Sequence, residues 1–294
     1  MKDYFGFEGK TCVVTGSASG VGKAAYDTLL ELGAEVYGLD FNEHEGAKNY
    51  LYVDMSDKSS IDAVIGSLPD RIDSLFSIAA LPGYEYCGKT FSLEQLFATN
   101  YSGPKYLAEQ LLPRMPKGSS SAVTSSVAGG RWPMIQELLS DLYFNYSTFE
   151  TSLDWVEKNR SNPQAFAQSE KMVYGFTKAC VTYFVKRASF KFLKEGVRLN
   201  ALCPGSIETG MSEDFARQSK QEGMMDGILS DYVFGTNPYI NRQSTPQEQA
   251  NAIIFLNSEL ATYVNGADFA VDCGAMTGMM LGQFKGTGEI LDDR

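Results

Sequence analysis

The chain has 294 residues, of which 44% are hydrophobic and 21% charged, with a formal net charge of −11. That length suits one large α/β domain, and the negative balance argues against nucleic acid and anionic membranes as partners. No apolar run reaches the length of a membrane span, and Met1–Lys2–Asp3–Tyr4–Phe5 lacks the apolar core of a signal peptide, so no membrane insertion is expected. Five dispersed cysteines, Cys12, Cys87, Cys180, Cys203 and Cys273, form no C-x-x-C pair; they point to reduced thiols in a cytoplasm, with no disulfide and no metal site.

Lys10–Val14 is a β-branched apolar run and predicts a buried strand. Thr15–Gly16–Ser17–Ala18–Ser19–Gly20–Val21–Gly22 then breaks into a glycine turn, and Val21, Ala24, Ala25, Thr28, Leu29 and Leu32 mark one face of a helix that Gly33 ends. Strand, glycine turn and helix N-terminus together suit a pyrophosphate, whose charge meets unpaired N–H groups and a partial positive charge. Gly16 gives the tight turn, Ser19, Gly20 and Val21 lie where the phosphates would approach, and Gly22 lets helix and strand pack closely. Val36–Asp40 is a second strand; its terminal acid, followed by Phe41, sits where a carboxylate can accept both hydroxyls of an adenosine ribose. His44, the only histidine, falls in a polar stretch and is expected at the surface, which argues against a histidine-based hydrolase triad.

Asn49–Val53 is a third strand, closed by Asp54 and Met55; Asp54 would meet an adenine amino group or cap the following helix. Asp73–Ile78 is a fourth strand, with Ala79 and Ala80 small enough for a ribose to lie against the backbone. Ser92–Gln95 is a capping box that opens a long helix to Leu112, bent near Gly103–Pro104 and carrying Asn100. Ala122–Ser126 is a fifth strand ending in hydroxyls. Short strands alternating with helices mean a Rossmann-type, doubly wound parallel sheet of about seven strands, with ligands at the carboxyl ends of the strands. Gly16, Asp40, Asp54, Ala79 and Ser126 all lie at such ends.

Residues 127–170 predict a helical insert at the mouth of the site, with one helix around Ile135, Leu138, Leu139 and Leu142 and a second opened by a Ser147–Glu150 capping box. The insert is rich in aromatics: Trp132, Tyr143, Phe144, Tyr146, Trp155 and Phe166. Lys171–Glu195 is a long helix in which Tyr174 and Lys178 lie one turn apart. Val197–Leu202 is a sixth strand that runs into Pro204, Ile207 and Thr209; residues 206–244 are read as a substrate-binding lid. Thr245–Glu248 starts a further helix, Ala267–Val271 is a seventh strand, and the tail from Gly274 is not expected in the core.

A phenol has a pKa near 10, and an ammonium one turn away favours its phenolate, so Tyr174 beside Lys178 can exchange a proton near neutrality while Ser126 holds the substrate oxygen. With the glycine turn, Asp54, Asn100, Ser126, Tyr174–Gly175–Phe176–Thr177–Lys178 and Pro204–Gly205, Ile207 and Thr209, the chain resembles the short-chain dehydrogenase/reductase family over about residues 8 to 275. The resemblance implies that Tyr174 is the acid/base, that Lys178 lowers its pKa and holds the nicotinamide ribose, that Ser126 polarises the substrate, that Asn100 holds a relay water, and that Ile207 and Thr209 position the nicotinamide carboxamide.

Two departures stand out. Ser77–Ile78–Ala79–Ala80 replaces the family's Asn-Asn-Ala-Gly, removing an amide that braces the sheet, and the insert separates Ser126 from Tyr174 by more than the usual dozen residues. The insert, together with Val197–Asn200 and Tyr263–Ala267, is similar to the bacterial 3α-hydroxysteroid dehydrogenase/carbonyl reductase branch. That likeness implies NAD as cofactor and a small hydrophobic substrate such as the 3α-hydroxyl of a steroid or bile acid, touched by Ser126, Tyr174, Trp132, Met211 and Phe215. A carbonyl reductase for small ketones and a catalytically silent NAD-binding regulator are the alternatives. Asp40 would repel a 2′-phosphate, and no cation adjoins it or precedes Lys23 in the glycine turn, which favours NAD(H) over NADP(H). A homo-oligomer is expected, its usual helix pairing altered by the insert.

Overall fold

The computed structural model describes residues 3–166, 170–209 and 240–281. Seven strands form one sheet, in the order β3-β2-β1-β4-β7-β8-β9, from β1 (Thr11–Thr15), β2 (Glu35–Asp40), β3 (Tyr50–Tyr52), β4 (Ser74–Ser77), β7 (Ser120–Thr124), β8 (Arg198–Pro204) and β9 (Asp268–Val271). Every pairing in it is parallel. A parallel sheet is covered on both faces, so its central strands read as unbroken apolar runs, and β4 and β8 are buried at every position. Alternate side chains go to opposite layers: Cys12 and Val14 pack with Phe7, Ala25, Leu29 and Ile253, while Val13 packs with Leu75, Leu107 and Phe176. The strand order reverses between β1 and β4, which opens a crevice at their carboxyl ends.

On one face lie α1 (Gly20–Glu31) and α8 (Pro246–Asn257), joined by Gln247 Nε2 donating to Thr28 Oγ1 at 2.9 Å. The other face carries α2 (Lys58–Ser67), α3 (Leu93–Phe97), α4 (Gly103–Leu111) and α7 (Glu170–Lys194), and α9 (Ala275–Met280) follows β9. The capping boxes at Ser92/Gln95 and Thr245/Glu248 form as the sequence implies. The bend in the long third helix begins earlier than Gly103–Pro104, as a π-turn over Ala98–Ser102. Pro104 cannot donate to the carbonyl four residues back, and the wider turn absorbs the mismatch. Gly103 is required there, because a Cβ would collide with the Met55 carbonyl.

The insert corrects two expectations. Its second helix, α6 (Phe149–Asn159), is capped by Thr148 with Thr151, one residue on from the expected Ser147–Glu150 box, and the Ser147 carbonyl instead accepts Lys105 Nζ at 2.5 Å. The insert also does not stand at the mouth of the site. Trp155 is fully buried and stacked on Phe176 of α7 at 5.6 Å, with Phe166 edge-on to both rings. Ser152 Oγ meets Ser102 Oγ at 2.7 Å, and Trp155 Nε1 donates to Asp141 of α5 (Gln136–Asn145) at 2.8 Å. Aromatic area drives this packing, so the insert covers the outer side of α7 and the π-turn. Val173 to Val185 of α7 are buried on all sides, which fits a helix apolar all round.

Candidate active site

Gly16 and Gly20 hold positive φ angles, +72° and +53°, which favour glycine. A Cβ on Gly16 would lie 3.0 Å from the Ala79 backbone, and one on Gly22 would collide with the Gly16 carbonyl, so the helix starts hard against the strand end. Ser19, the residue before α1, makes no side-chain cap bond, and no acid stands in the first turn. The first amides of α1 are thereby available to an anion. Asp40 is buried at the end of β2, its carboxylate accepting from Ala18 N at 3.0 Å and Asn42 N at 2.8 Å. A buried carboxylate held by the turn itself presents a fixed acceptor to ribose hydroxyls.

Asp54 accepts from Ser56 N at 2.8 Å and Ser56 Oγ at 2.7 Å, and the cap of α2 is Asp57, three residues later. The missing family amide has substitutes. Thr15 Oγ1 accepts from Ile78 N at 2.9 Å and Ala79 N at 3.1 Å. Asn100 accepts from Leu81 N at 2.7 Å and donates to Leu81 O at 2.9 Å and Thr177 Oγ1 at 3.2 Å. Asn100 therefore braces the strand-end loop, and it is absent from the residues that line the cleft. His44 is a correction: it is buried, its Nδ1 lies 3.3 Å from Ser17 Oγ, and its ring sits edge-on to Tyr26 at 4.6 Å. Burial lowers its pKa, so it supports the glycine turn as a neutral ring.

At the other end of the cleft, Ser126 follows β7, accepts from Ala128 N at 3.2 Å and interacts with Tyr174, favouring its ionised form. Lys178 is fully buried, its Nζ donating to Thr124 O at 2.9 Å and lying 5.5 Å from the centre of the Tyr174 ring. The phenol, the ammonium and the serine thus converge, although the insert separates Ser126 from Tyr174 in sequence.

One cleft of about 1480 Å³ runs between these two ends. It is lined by Gly16, Ser19, Gly20, Val21, Gly22, Asp40, Phe41, Asp54, Met55, Ala79 and Ala80, and by Ser126, Tyr174, Lys178, Pro204, Ile207 and Thr209. The length and chemistry of that set fit a dinucleotide: open helix amides in the middle, a ribose-reading acid at one end, a phenol and a lysine at the other. Trp132, expected to touch substrate, is a correction: it packs on Tyr183 at 6.1 Å and does not line the cleft. Met211 and Phe215 lie outside the described residues, as does most of the 206–244 lid; at its base Ile207 pairs with Ser244.

A short hairpin escaped the sequence reading. Its strands β5 (Glu85–Tyr86) and β6 (Lys89–Thr90) line the adenosine end of the cleft. Asn-Gly or Asp-Gly would have marked such a turn, and here Cys87–Gly88 takes it, both with positive φ.

Comparison with known proteins agrees with this geometry. The model described as short chain dehydrogenase matches residues 10–137, and the one described as enoyl-(acyl carrier protein) reductase matches residues 161–276. The chain is 30% identical over 266 residues, covering 90% of it and 96% of the relative, to a coniferyl-alcohol dehydrogenase of Pseudomonas sp. strain HR199. The chain belongs to the short-chain dehydrogenase/reductase family. It is also 27% identical over 281 residues to the 3-alpha-hydroxysteroid dehydrogenase/carbonyl reductase of Comamonas testosteroni, covering 92% of this chain and 98% of that one. Among solved structures, the 3-alpha-hydroxysteroid dehydrogenase of Pseudomonas sp. B-0831 complexed with NADH shares the fold, with a TM-score of 0.69 at 22% identity, covering 94% of this chain and all of that one.

As a short-chain dehydrogenase/reductase, the chain carries its tyrosine and lysine in an unusually dry setting. Burial pushes Tyr174 up to about 12, against a smaller downward pull from the Ser126 hydrogen bond, and burial pulls Lys178 down to about 7. Desolvation therefore outweighs the mutual stabilisation expected from their spacing. The unfolded chain keeps the lysine proton to about 10.4, so between pH 7 and 10 folding releases it and stability rises with pH, by at most about 1.4 kcal/mol per unit. Tyr174 opposes this only at higher pH: its contribution is complete below about 10 and falls away as pH rises toward 12. Denaturant unfolding from pH 6 to 10 should show a rise in the wild type that Lys178→Met flattens; parallel profiles would mean that Lys178 keeps its charge in the fold.

Proposed function

We propose that this chain is an NAD(H)-dependent dehydrogenase that interconverts a secondary alcohol and a ketone on a flat hydrophobic substrate, with the 3α-hydroxyl of a steroid or bile acid as first candidate. The observation that carries the reading is that Ser126, Tyr174 and Lys178 line one end of a dinucleotide-shaped cleft together, at the strand ends. When bound, the nicotinamide accepts or supplies the hydride. In oxidation, Ser126 Oγ would hold the substrate hydroxyl, and Tyr174, as its phenolate, would take the hydroxyl proton as the carbon loses hydride; in reduction the protonated phenol would give that proton back. Lys178, anchored on Thr124 O, holds the phenol in place and can hold the nicotinamide ribose. Asn100 acts at one remove, by fixing Leu81 and Thr177 around them.

Supporting the steroid reading are the insert and the likeness to the Comamonas testosteroni relative over nearly all of both chains. A second reading, an aromatic alcohol as substrate, draws on the likeness to the coniferyl-alcohol dehydrogenase. A carbonyl reductase for small ketones is a third candidate within the same chemistry. NADH formation from 3α-, 7α- and 12α-hydroxy bile acids, androsterone, coniferyl alcohol and simple secondary alcohols ranks them by kcat/KM. Tyr174→Phe should lower turnover by at least about 100-fold and leave NADH affinity within about threefold of wild type. Turnover that survives the change, or a wild type that binds NADH and turns over nothing, sinks the proposal; the second outcome is that of a silent regulator.

The buried Asp40 carboxylate supports NAD(H) over NADP(H), because a 2′-phosphate placed beside it would meet like charge. Asp40→Ala should narrow the ratio of kcat/KM for NADH over NADPH by about tenfold, roughly 1.4 kcal/mol of removed repulsion; an unchanged ratio would move the choice elsewhere. The free cysteines Cys12, Cys180 and Cys203, all buried, suit a reducing compartment such as the cytoplasm. Among the described residues no helix is long and apolar enough to cross a membrane. Val173–Val185 of α7 leave no exposed face for a partner, so subunits of a homo-oligomer should meet elsewhere. An experimental oligomer structure that packs two copies of Val173–Val185 against each other would contradict this.

A further inference from the structure

The cleft has an unexplained wall. Glu85–Thr90 closes over its adenosine end as a two-residue hairpin, with Glu85 opposite Thr90 and Tyr86 opposite Lys89. Cys87 and Gly88 hold φ of +51° and +72°, the pattern of a type I′ turn, so the hairpin keeps the right-handed twist of its strands. Directly opposed residues share a face, and here that face is turned to the cleft. Tyr86 interacts with the side chain of Ser19, the residue before α1 that makes no cap bond of its own, and both line the cleft. The Lys89 ammonium lies 4.5 Å from the centre of the Phe41 ring, next to Asp40. One face of the hairpin therefore spans from the phosphate position to the ribose position.

Charge makes the placement informative. The wall of the cleft carries Asp40, Glu43, Asp54, Glu85 and Glu208, and among its described residues the cations are Lys178 and Lys89. Lys178 is buried at the far end, on the Thr124 carbonyl. Among the described lining residues, the counter-charge a dianionic dinucleotide would meet toward its adenosine half is Lys89 of the hairpin.

We propose that the Tyr86/Lys89 face of this hairpin is a clasp for the dinucleotide, with Lys89 neutralising one of its phosphates and Tyr86 fixing the hairpin to the glycine turn. This rests on the dinucleotide reading above. The ligand chemistry is a phosphate, that of the pyrophosphate NADH and NADPH share. Lys89 is a binding residue, and Tyr86 a positioning residue that acts through Ser19.

The test is titration of NADH and NADPH fluorescence against wild type, Lys89→Ala, Lys89→Arg and Tyr86→Phe, with thermal melts as a control for folding. Lys89→Ala should weaken NADH about tenfold, the size of one charge-assisted contact, and flatten the salt dependence of binding. Lys89→Arg should restore affinity to within about twofold, since it keeps the charge. Tyr86→Phe should weaken NADH about threefold while leaving the alcohol's KM at saturating cofactor unchanged. Equal losses for NADH and NADPH place Lys89 on the pyrophosphate and support the clasp; a loss confined to NADPH, with NADH unchanged, overturns it. A wild type that binds NADH with Lys89→Ala matching it for both cofactors overturns the clasp and leaves the dinucleotide reading intact. A wild type that binds neither cofactor overturns that reading itself.

Discussion

The working geometry of this molecule depends on a two-way latch between one strand end and one helix. Lys178 Nζ donates to the carbonyl of Thr124, and the Ser125 hydroxyl donates back to the carbonyl of Lys178 at 2.8 Å. Gly129 lets the chain after β7 touch the same turn of α7, because a Cβ there would lie 2.7 Å from the Lys178 carbonyl oxygen. These contacts set the height of α7 against the sheet, and that height brings Tyr174 to Ser126. A buried ammonium with a carbonyl for its partner is costly, and the low pKa of Lys178 reflects that cost. The packing around α7 offsets it: a helix buried on every side from Val173 to Val185, with Trp155 of the insert stacked on Phe176.

The parts of this arrangement legible in the sequence are those fixed by neighbouring residues. Glycines needed for positive φ or close approach, capping boxes, a strand that ends in an acid, and a tyrosine one turn from a lysine all carry their reason within a few positions. They led to the glycine turn, to Asp40 and to the Tyr174–Lys178 pair. The seven-strand sheet followed from alternation of strand and helix. The strand edge at β8 and β9 shows a middle case. Val197–Asn200 and Tyr263–Ala267 stood out as family-like, and the structure ties them to each other, with Asn200 Nδ2 donating to Val264 O at 3.0 Å and Leu199 N to Asn265 Oδ1 at 2.9 Å. The residues were visible, whereas their partnership needed the fold.

What escaped the sequence was decided by distant contacts. His44 lies in a polar stretch, but Tyr26 and Ser17 enclose it. The insert's aromatics were expected at the mouth of the site; Phe97 and Phe176 draw them into the core, since large flat rings bury more area against each other than against a solvent-filled cleft. The resemblance gave Asn100 a relay water to hold; its bonds to Leu81 and Thr177 needed the fold. Lys89 was invisible to a search for cations close to Asp40 in sequence, because a hairpin carries it there across space.

The pairing of Ile207 with Ser244 has a consequence for how such a chain can diversify. Glu208 N donates to Ser244 O at 2.8 Å and Ser244 N to Ser206 O at 3.0 Å, so the residues between begin and end at one closed point. Joining two ends of a long excursion costs only about 0.6 kcal/mol more for each doubling of its length. Insertions and deletions within it would therefore tax the sheet very little. Changes of length can accumulate there while Ser126 and Tyr174, set by β7 and α7, stay where they are.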